Sequence, residues 1–199
     1  MIVKDHFLTG ERFEIKKVSD GVLTTLPKIN AKDLRSYYDS KNYHSHKSSK
    51  SLLSMFYDVS SRFMVWRKVK LTSRFSKNKK SILDFGCGRG GFLMSAKKAG
   101  FEVCGVDVIT TTHKELEAKN IKVYNKIESL SNPVNTITFW HSLEHINDVN
   151  QTLMLCRKFL KDKGILIVAV PNHDSFDAKH YKSFWAAYDV PRHRFHFNK

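Results

Sequence analysis

Two carboxylates lie at the ends of apolar runs, and their surroundings narrow what they can bind. Asp84 falls late in the apolar run of residues 81–85, and Gly86, Gly88, Gly90 and Gly91 follow before a helical pattern starts at Phe92. Strand, glycine turn and helix in that order form a cradle, because glycine lets backbone approach a ligand with no side chain in the way. Gly86, Gly88 and Gly91 satisfy the G-x-G-x-x-G spacing of dinucleotide sites, which is a weak signal alone. Asp84 argues against a pyrophosphate there, since anion would face anion. It suits an ammonium or sulfonium, met directly or through water. Asp107 closes a second apolar run, residues 101–106, and is placed to accept both ribose hydroxyls of a nucleoside. S-adenosylmethionine joins an amino-acid end to adenosine through a cationic sulfur and so matches both carboxylates. A dinucleotide-dependent enzyme or a non-catalytic nucleotide binder is the alternative that the glycines leave open.

Three histidines complete the set. His141 and His145 bracket Glu144 after a further apolar run, and His193 lies in Pro191-Arg192-His193. Imidazole titrates near neutral pH, which makes it the natural general base for a hydroxyl or phenol. Each histidine also has a structural reading, as a partner of Glu144 that holds the loop.

Taken together, these stretches resemble a known family. ILDFGCGRGGFL is similar to the first motif of class I S-adenosylmethionine-dependent methyltransferases, and GVDV to the acidic motif ending their second strand. TITFWHSLEHIND resembles their fourth strand and following loop, and GILIVAVPN their fifth strand. The resemblance runs from residue 81 to the C-terminus. WAAYDVPRHRFHF further resembles a bacterial subgroup related to ubiquinone-biosynthesis O-methyltransferases. The resemblance implies an α/β fold, a three-layer Rossmann-like sheet, mostly parallel, with helices on both faces. It implies S-adenosylmethionine as cofactor, held by Asp84, Gly86, Cys87, Gly88, Asp107, Val108 and His141. His145, His193 and His141 are then the catalytic candidates, His141 towards the methionine end, His145 on the acceptor side and His193 approaching from the C-terminal segment. The expected reaction is in-line methyl transfer to a small-molecule acceptor, at a hydroxyl oxygen, with histidine as base. The family's sheet continues into an antiparallel hairpin that completes seven strands. Only 199 residues are present, so that C-terminal hairpin is expected to be missing.

Positioning these groups requires alternating strands and helices. Helices are expected over residues 91–98, 111–119 and 147–160, and strands over 101–106, 121–125, 135–141 and 165–170, with Gly164 as a helix breaker. Right-handed crossovers then give a parallel sheet whose C-terminal edge carries Asp84, Asp107 and His141. Upstream, residues 11–26 read as a β-hairpin turning at Ser19-Asp20-Gly21. Residues 31–51 form a polar, aromatic wrap or lid containing Tyr37, Tyr38, Tyr43, His44 and His46. Residues 52–71 form an amphipathic helix whose Leu52, Phe56, Val59, Phe63 and Trp66 are expected to dock on the sheet, with a membrane surface as the alternative that a basic amphipathic helix leaves open. The domain division is 1–50, an N-terminal extension, and 51–199, the cofactor-binding domain.

Composition limits the partners. The net charge is +15, and residues 1–80 carry 18 Lys plus Arg against 7 acids, whereas residues 81–199 carry 16 against 12. The excess therefore belongs to the N-terminal segment, and an RNA methyltransferase using that segment is the alternative function. The tail Arg192-His193-Arg194-Phe195-His196-Phe197 interleaves basic and aromatic residues in a way that also suits RNA. Nucleobase signatures are absent: Trp140-His141-Ser142-Leu143 stands where exocyclic-amine enzymes carry a Pro-Pro-aromatic motif, and no cysteine follows a proline. A small-molecule pocket is the favoured reading. Cys87, Cys104 and Cys156 are widely spaced and form no disulfide or zinc pattern, and no metal site is expected. No apolar run approaches the roughly 20 residues of a membrane span, so a cytoplasmic protein with no membrane partner is expected.

Overall fold

Glycine punctuation and apolar runs of four to ten residues set most of the element boundaries. The structure, a computed structural model, describes residues 1–37, 52–76, 80–109 and 113–199. The elements are β1 (Ile2–Lys4), β2 (Arg12–Ser19), β3 (Val22–Leu26), α1 (Ala31–Leu34), α2 (Leu52–Phe75), β4 (Ser81–Phe85) and α3 (Gly91–Lys98). They continue with β5 (Glu102–Val106), α4 (His113–Glu117), β6 (Lys122–Tyr124), β7 (Val134–Trp140), α5 (Val149–Phe159), β8 (Leu160–Ala169), α6 (Phe176–Tyr181) and β9 (Phe195–Phe197). The chain divides into two compact units, one of residues 1–48, 143–147 and 170–199, the other of residues 49–142 and 148–169. Residues 143–147 and 170–199 group with residues 1–48.

The second unit holds a five-stranded parallel sheet in the order β6-β5-β4-β7-β8. Ile82 and Leu83 are fully buried at its centre, as strands covered on both faces require. One core cluster joins Ile82, Phe92, Leu93, Ala96, Leu116, Ile121 and Val123, with Val69 of α2 packed against it. The fifth strand starts at Leu160, not at Ile165. The ladder to β7 jumps from Val134–Leu160 to Thr136–Ile165, so residues 161–164 bulge from the strand instead of closing a helix.

Helix α2 forms where its pattern predicts but docks through a different face. Val59, Phe63 and Trp66 are exposed, whereas Thr72 is fully buried and Ser76, just past the helix, shares a 2.8 Å hydrogen bond with Thr136. Lys68 is half-buried and lies 5.2 Å from the Trp140 ring centre. Helical periodicity found the helix. The helix meets the sheet through the Thr136 hydroxyl and the Trp140 ring.

The first unit holds an antiparallel sheet in the order β1-β2-β3-β9. The hairpin β2–β3 is the expected one. Flanking it are β1 and β9, three-residue strands too short to show a period. β9 is part of the basic aromatic tail. His196 is buried and shares a 2.9 Å hydrogen bond with Thr25, and Arg192 is 1% exposed. Arg192 donates to Asp5 at 3.0 Å and to Asp189 at 2.6 Å. Asp5 in turn accepts from the amides of Phe7, Leu8 and Thr9. Burial pushes the Asp5 carboxyl up, but the hydrogen bond and charge of Arg192, together with the amides, outweigh it and hold the group below its ordinary range. Tyr37, one of the wrap aromatics, packs into this unit's core beside Phe13, Ile15, Tyr188 and Val190. Tyr38, Tyr43, His44 and His46 lie outside the described residues.

Removing one member of a buried ion pair leaves the other charge uncompensated. Arg192→Met is therefore expected to lower stability in urea unfolding by about 3–5 kcal/mol. The double variant R192M/D5N should lose less than the sum of the two single changes. Additive losses would show that Asp5 and Arg192 do not act as a pair.

Candidate active site

The end of β4 is the first place where the sheet turns from packing to chemistry. Asp84 is 4% exposed and accepts a 2.7 Å hydrogen bond from the Thr138 hydroxyl on the neighbouring strand. Burial pushes its carboxyl up to about 7, an effect that Thr138 and the positive Lys68 oppose and the Asp107 charge adds to. Lys68 is the counterpart: burial lowers its pKa and Asp84 pulls it back up. Lys68 is not recognisable as a site residue from the sequence, because one lysine in a basic helix carries no pattern. Only the facing of α2 puts its charge near β4.

The glycine turn then bends back on itself. Gly86 has φ +73°, and a Cβ there would meet the Cβ of Ser142 at 2.5 Å, so no side chain fits. Ser142 also donates to the Phe85 carbonyl at 2.5 Å, tying the end of β7 to the start of the turn. Gly88, at φ +50°, has no neighbour within 4 Å of a Cβ position, so this stretch of backbone faces open space. Cys87 points the other way. Its thiol lies against Gly105 in the core and burial raises its pKa to about 12, so only its backbone can serve a ligand.

Asp107 clasps this turn to the end of β5. One carboxylate oxygen accepts from the Gly88 amide at 2.7 Å and the other from the Ile109 amide at 2.8 Å. An ionised carboxylate has about four lone-pair sites, so a further acceptor site on each oxygen is left for a pair of hydroxyls. Val108 follows immediately and is 79% exposed, an apolar side chain held in solvent beside the clasp. His141 takes φ +59°, a left-handed conformation rare for a non-glycine residue, and its amide donates to the Ala169 carbonyl at 2.9 Å. Asp84, Gly86, Gly88, Asp107, Val108 and His141 thus all fall at the C-terminal edge of the parallel sheet, as strand ends of an open α/β sheet do in ligand sites.

The other two histidines belong to the first unit, where they form a cluster with Glu144. The rings of His145 and His193 meet edge to face at 4.7 Å. His145 Nδ1 lies 3.0 Å from the Arg192 carbonyl and His193 Nδ1 lies 2.8 Å from the Ala187 carbonyl. A carbonyl only accepts, so on each ring Nδ1 carries a proton. Burial, with the charge of His145 next, lowers the His193 pKa and keeps that ring neutral, while Asp189 and Glu144 oppose the shift. Glu144, His145 and His193 each offer a ligand atom, all within 4.8 Å of one another. This is a set of donors able to take a proton or a cation, although the cysteine count pointed to no metal site.

Comparison with known proteins follows this geometry. The profile of a methyltransferase domain matches residues 59–199. An uncharacterized protein of Methanocaldococcus jannaschii is 30% identical over 149 residues, which is 72% of this chain and 63% of that one. A ubiquinone biosynthesis O-methyltransferase of Actinobacillus pleuropneumoniae is 28% identical over 108 residues, 47% of this chain and 46% of that one. The chain thus matches about half to three-fifths of the length of these relatives. Among solved structures, magnesium protoporphyrin IX methyltransferase from Synechocystis, with bound S-adenosylhomocysteine, superposes with TM-score 0.61 at 13% identity over 85% of this chain and 84% of that one. The plantazolicin methyltransferase, also with S-adenosylhomocysteine, gives TM-score 0.58 at 18% identity over 78% and 65%. At these identities the likeness concerns the fold.

The two carboxylates give separate predictions. A bound ammonium favours ionised Asp84, so the affinity for S-adenosylhomocysteine should rise as pH increases through 7, and Asp84→Asn should flatten that slope in calorimetry. The linked stability runs the other way. A folded pKa above the ordinary value of 3.8 stabilises the ligand-free protein at low pH, and that contribution is lost as pH rises through about 7. Asp107→Ala should weaken S-adenosylhomocysteine at least about tenfold. Unchanged affinity in that variant would remove Asp107 from the ribose role.

Proposed function

The chain belongs to the methyltransferase domain family, and on that premise we propose that it transfers the methyl group of S-adenosylmethionine to a hydroxyl oxygen of a small molecule. The observation that carries this reading is the pairing of unlike carboxylates at one sheet edge. Asp84 is buried, with its pKa pushed up to about 7, while both carboxylate oxygens of Asp107 accept from backbone amides. The residues fit the cofactor. Asp84 would face the methionine ammonium, with Lys68 supplying positive charge towards its carboxylate. Asp107 would accept the ribose hydroxyls, the backbone at Gly88 would lie against the ligand, and Val108 would cover an adenine face. When bound, the cofactor supplies an electrophilic methyl on a cationic sulfur.

The chain's own task is to position the acceptor, exclude water and take one proton. We assign the proton to His145 Nε2. Its Nδ1–H is held by the Arg192 carbonyl, which fixes the tautomer and leaves the lone pair on the other nitrogen. His193 stands beside it as a neutral ring, so a proton arriving on His145 meets no second positive charge. Similarity to ubiquinone biosynthesis O-methyltransferases supports oxygen as the acceptor atom and a small molecule over RNA. The internal placement of Arg192 and His196 supports the same choice, because those groups are committed inside their own unit. His141, with its amide committed to Ala169, is assigned to shaping the methionine end rather than to proton transfer.

The three donor atoms of Glu144, His145 and His193 favour a second reading, in which a divalent cation held there lowers the acceptor's pKa. One assay distinguishes the two. S-adenosylhomocysteine release is measured with catechols and phenols as acceptors, before and after dialysis against EDTA. His145→Ala should lower turnover about 10²–10⁴-fold with cofactor affinity unchanged. Full turnover in His145→Ala would end its role as base. Loss on EDTA treatment, restored by a divalent cation, would favour the second reading.

A further inference from the structure

Helix α2 exposes the residues that its sequence marks as an apolar face. Val59, Phe63 and Trp66, at i, i+4 and i+7, are 60%, 53% and 53% exposed. The Phe63 and Trp66 rings stack with centroids 5.7 Å apart, and Met64 beside them is exposed too. The helix already docks through another stripe, that of Lys68, Val69 and Thr72. The outward stripe is therefore not a core face waiting for its own sheet.

Charge decides what could cover it. Lys70 continues the stripe one turn on and sits 4.9 Å from the Trp66 ring centre, a cation–π contact that leaves its ammonium beside the aromatic pair. Arg62, Arg67 and Arg74 are exposed around it, and residues 52–75 carry five Lys plus Arg against the single acid Asp58. An exposed stripe that is apolar and aromatic at Val59, Phe63 and Trp66 and cationic at Arg67, Lys70 and Arg74 complements an anionic membrane interface. Its apolar side chains enter the headgroup–acyl boundary and its cations meet the phosphates. Tryptophan suits that boundary because its ring is apolar and its N–H can stay wet. A nucleic acid would use the same cations but would gain nothing from burying Val59.

We propose that α2 is an in-plane docking surface for an anionic lipid bilayer, with Val59, Phe63 and Trp66 inserted and Arg62, Arg67 and Lys70 on the headgroups. No described helix is long and apolar enough to cross a membrane, so the contact is peripheral. It is independent of the acceptor that the methyltransferase domain uses.

The test is flotation of the full chain with phosphatidylcholine vesicles, with or without about 30 mol% phosphatidylglycerol, at low and high salt. The protein should float with the anionic vesicles at low salt. Partition should fall at least about tenfold on pure phosphatidylcholine or in high salt. F63E/W66E should lose at least about tenfold of the binding, because it puts charge where apolar groups insert. R62E/R67E should lose the dependence on phosphatidylglycerol. Since all four side chains are exposed, the thermal shift with S-adenosylhomocysteine should match that of the parent chain and shows that each variant is folded. Failure to float with anionic vesicles, or F63E/W66E floating as the parent does, would overturn the proposal. So would a structured RNA that displaces the vesicles and still binds F63E/W66E.

Discussion

A carboxylate inside an apolar sheet is costly, and Asp84 shows how this chain tolerates one. Burial disfavours its charge, one hydroxyl from Thr138 and the field of Lys68 only partly compensate, and the group is left balanced between its two protonation states near neutral pH. The glycine turn that follows cannot carry a side chain at Gly86, because Ser142 fills the space. The turn therefore brings bare backbone and a half-satisfied acid to the same rim. On the proposed reading, a cation meeting Asp84 there would favour its ionised form.

Asp107 is the contrasting case. Two amides already hold it, one from the turn and one from the loop beyond β5, so it acts first as a clasp between two strand ends and only then as a hydroxyl acceptor. Both acids are buried and both accept hydrogen bonds, Asp84 from one hydroxyl and Asp107 from two amides.

Much of this was legible in the residues because the parallel sheet is written in apolar runs bounded by glycine, and these fixed β4, β5 and the positions of Asp84 and Asp107. What the sequence hid has physical reasons. β1 and β9 have three residues each, below the length at which alternation shows, and β9 was concealed inside a run that looks like a solvated basic tail. Arg192 was unreadable as a buried residue because its partners, Asp5 and Asp189, include one from the far end of the chain. For α2 the period was right and the face wrong. A hydroxyl on Thr136 and the ring of Trp140 selected Ser76 and Lys68 as neighbours, and local hydrophobicity carries no record of such a choice.

The span between Asp5 and Arg192, 187 residues, also orders events on the ribosome. All five strands of the parallel sheet have been synthesised once Ala169 is in place, so that sheet can close early. The antiparallel sheet has to hold its first three strands and an acid without its arginine until Phe195–Phe197 emerges. Until then the nascent chain carries an open β-edge at Val22–Leu26, the kind of exposed edge that chaperones shield.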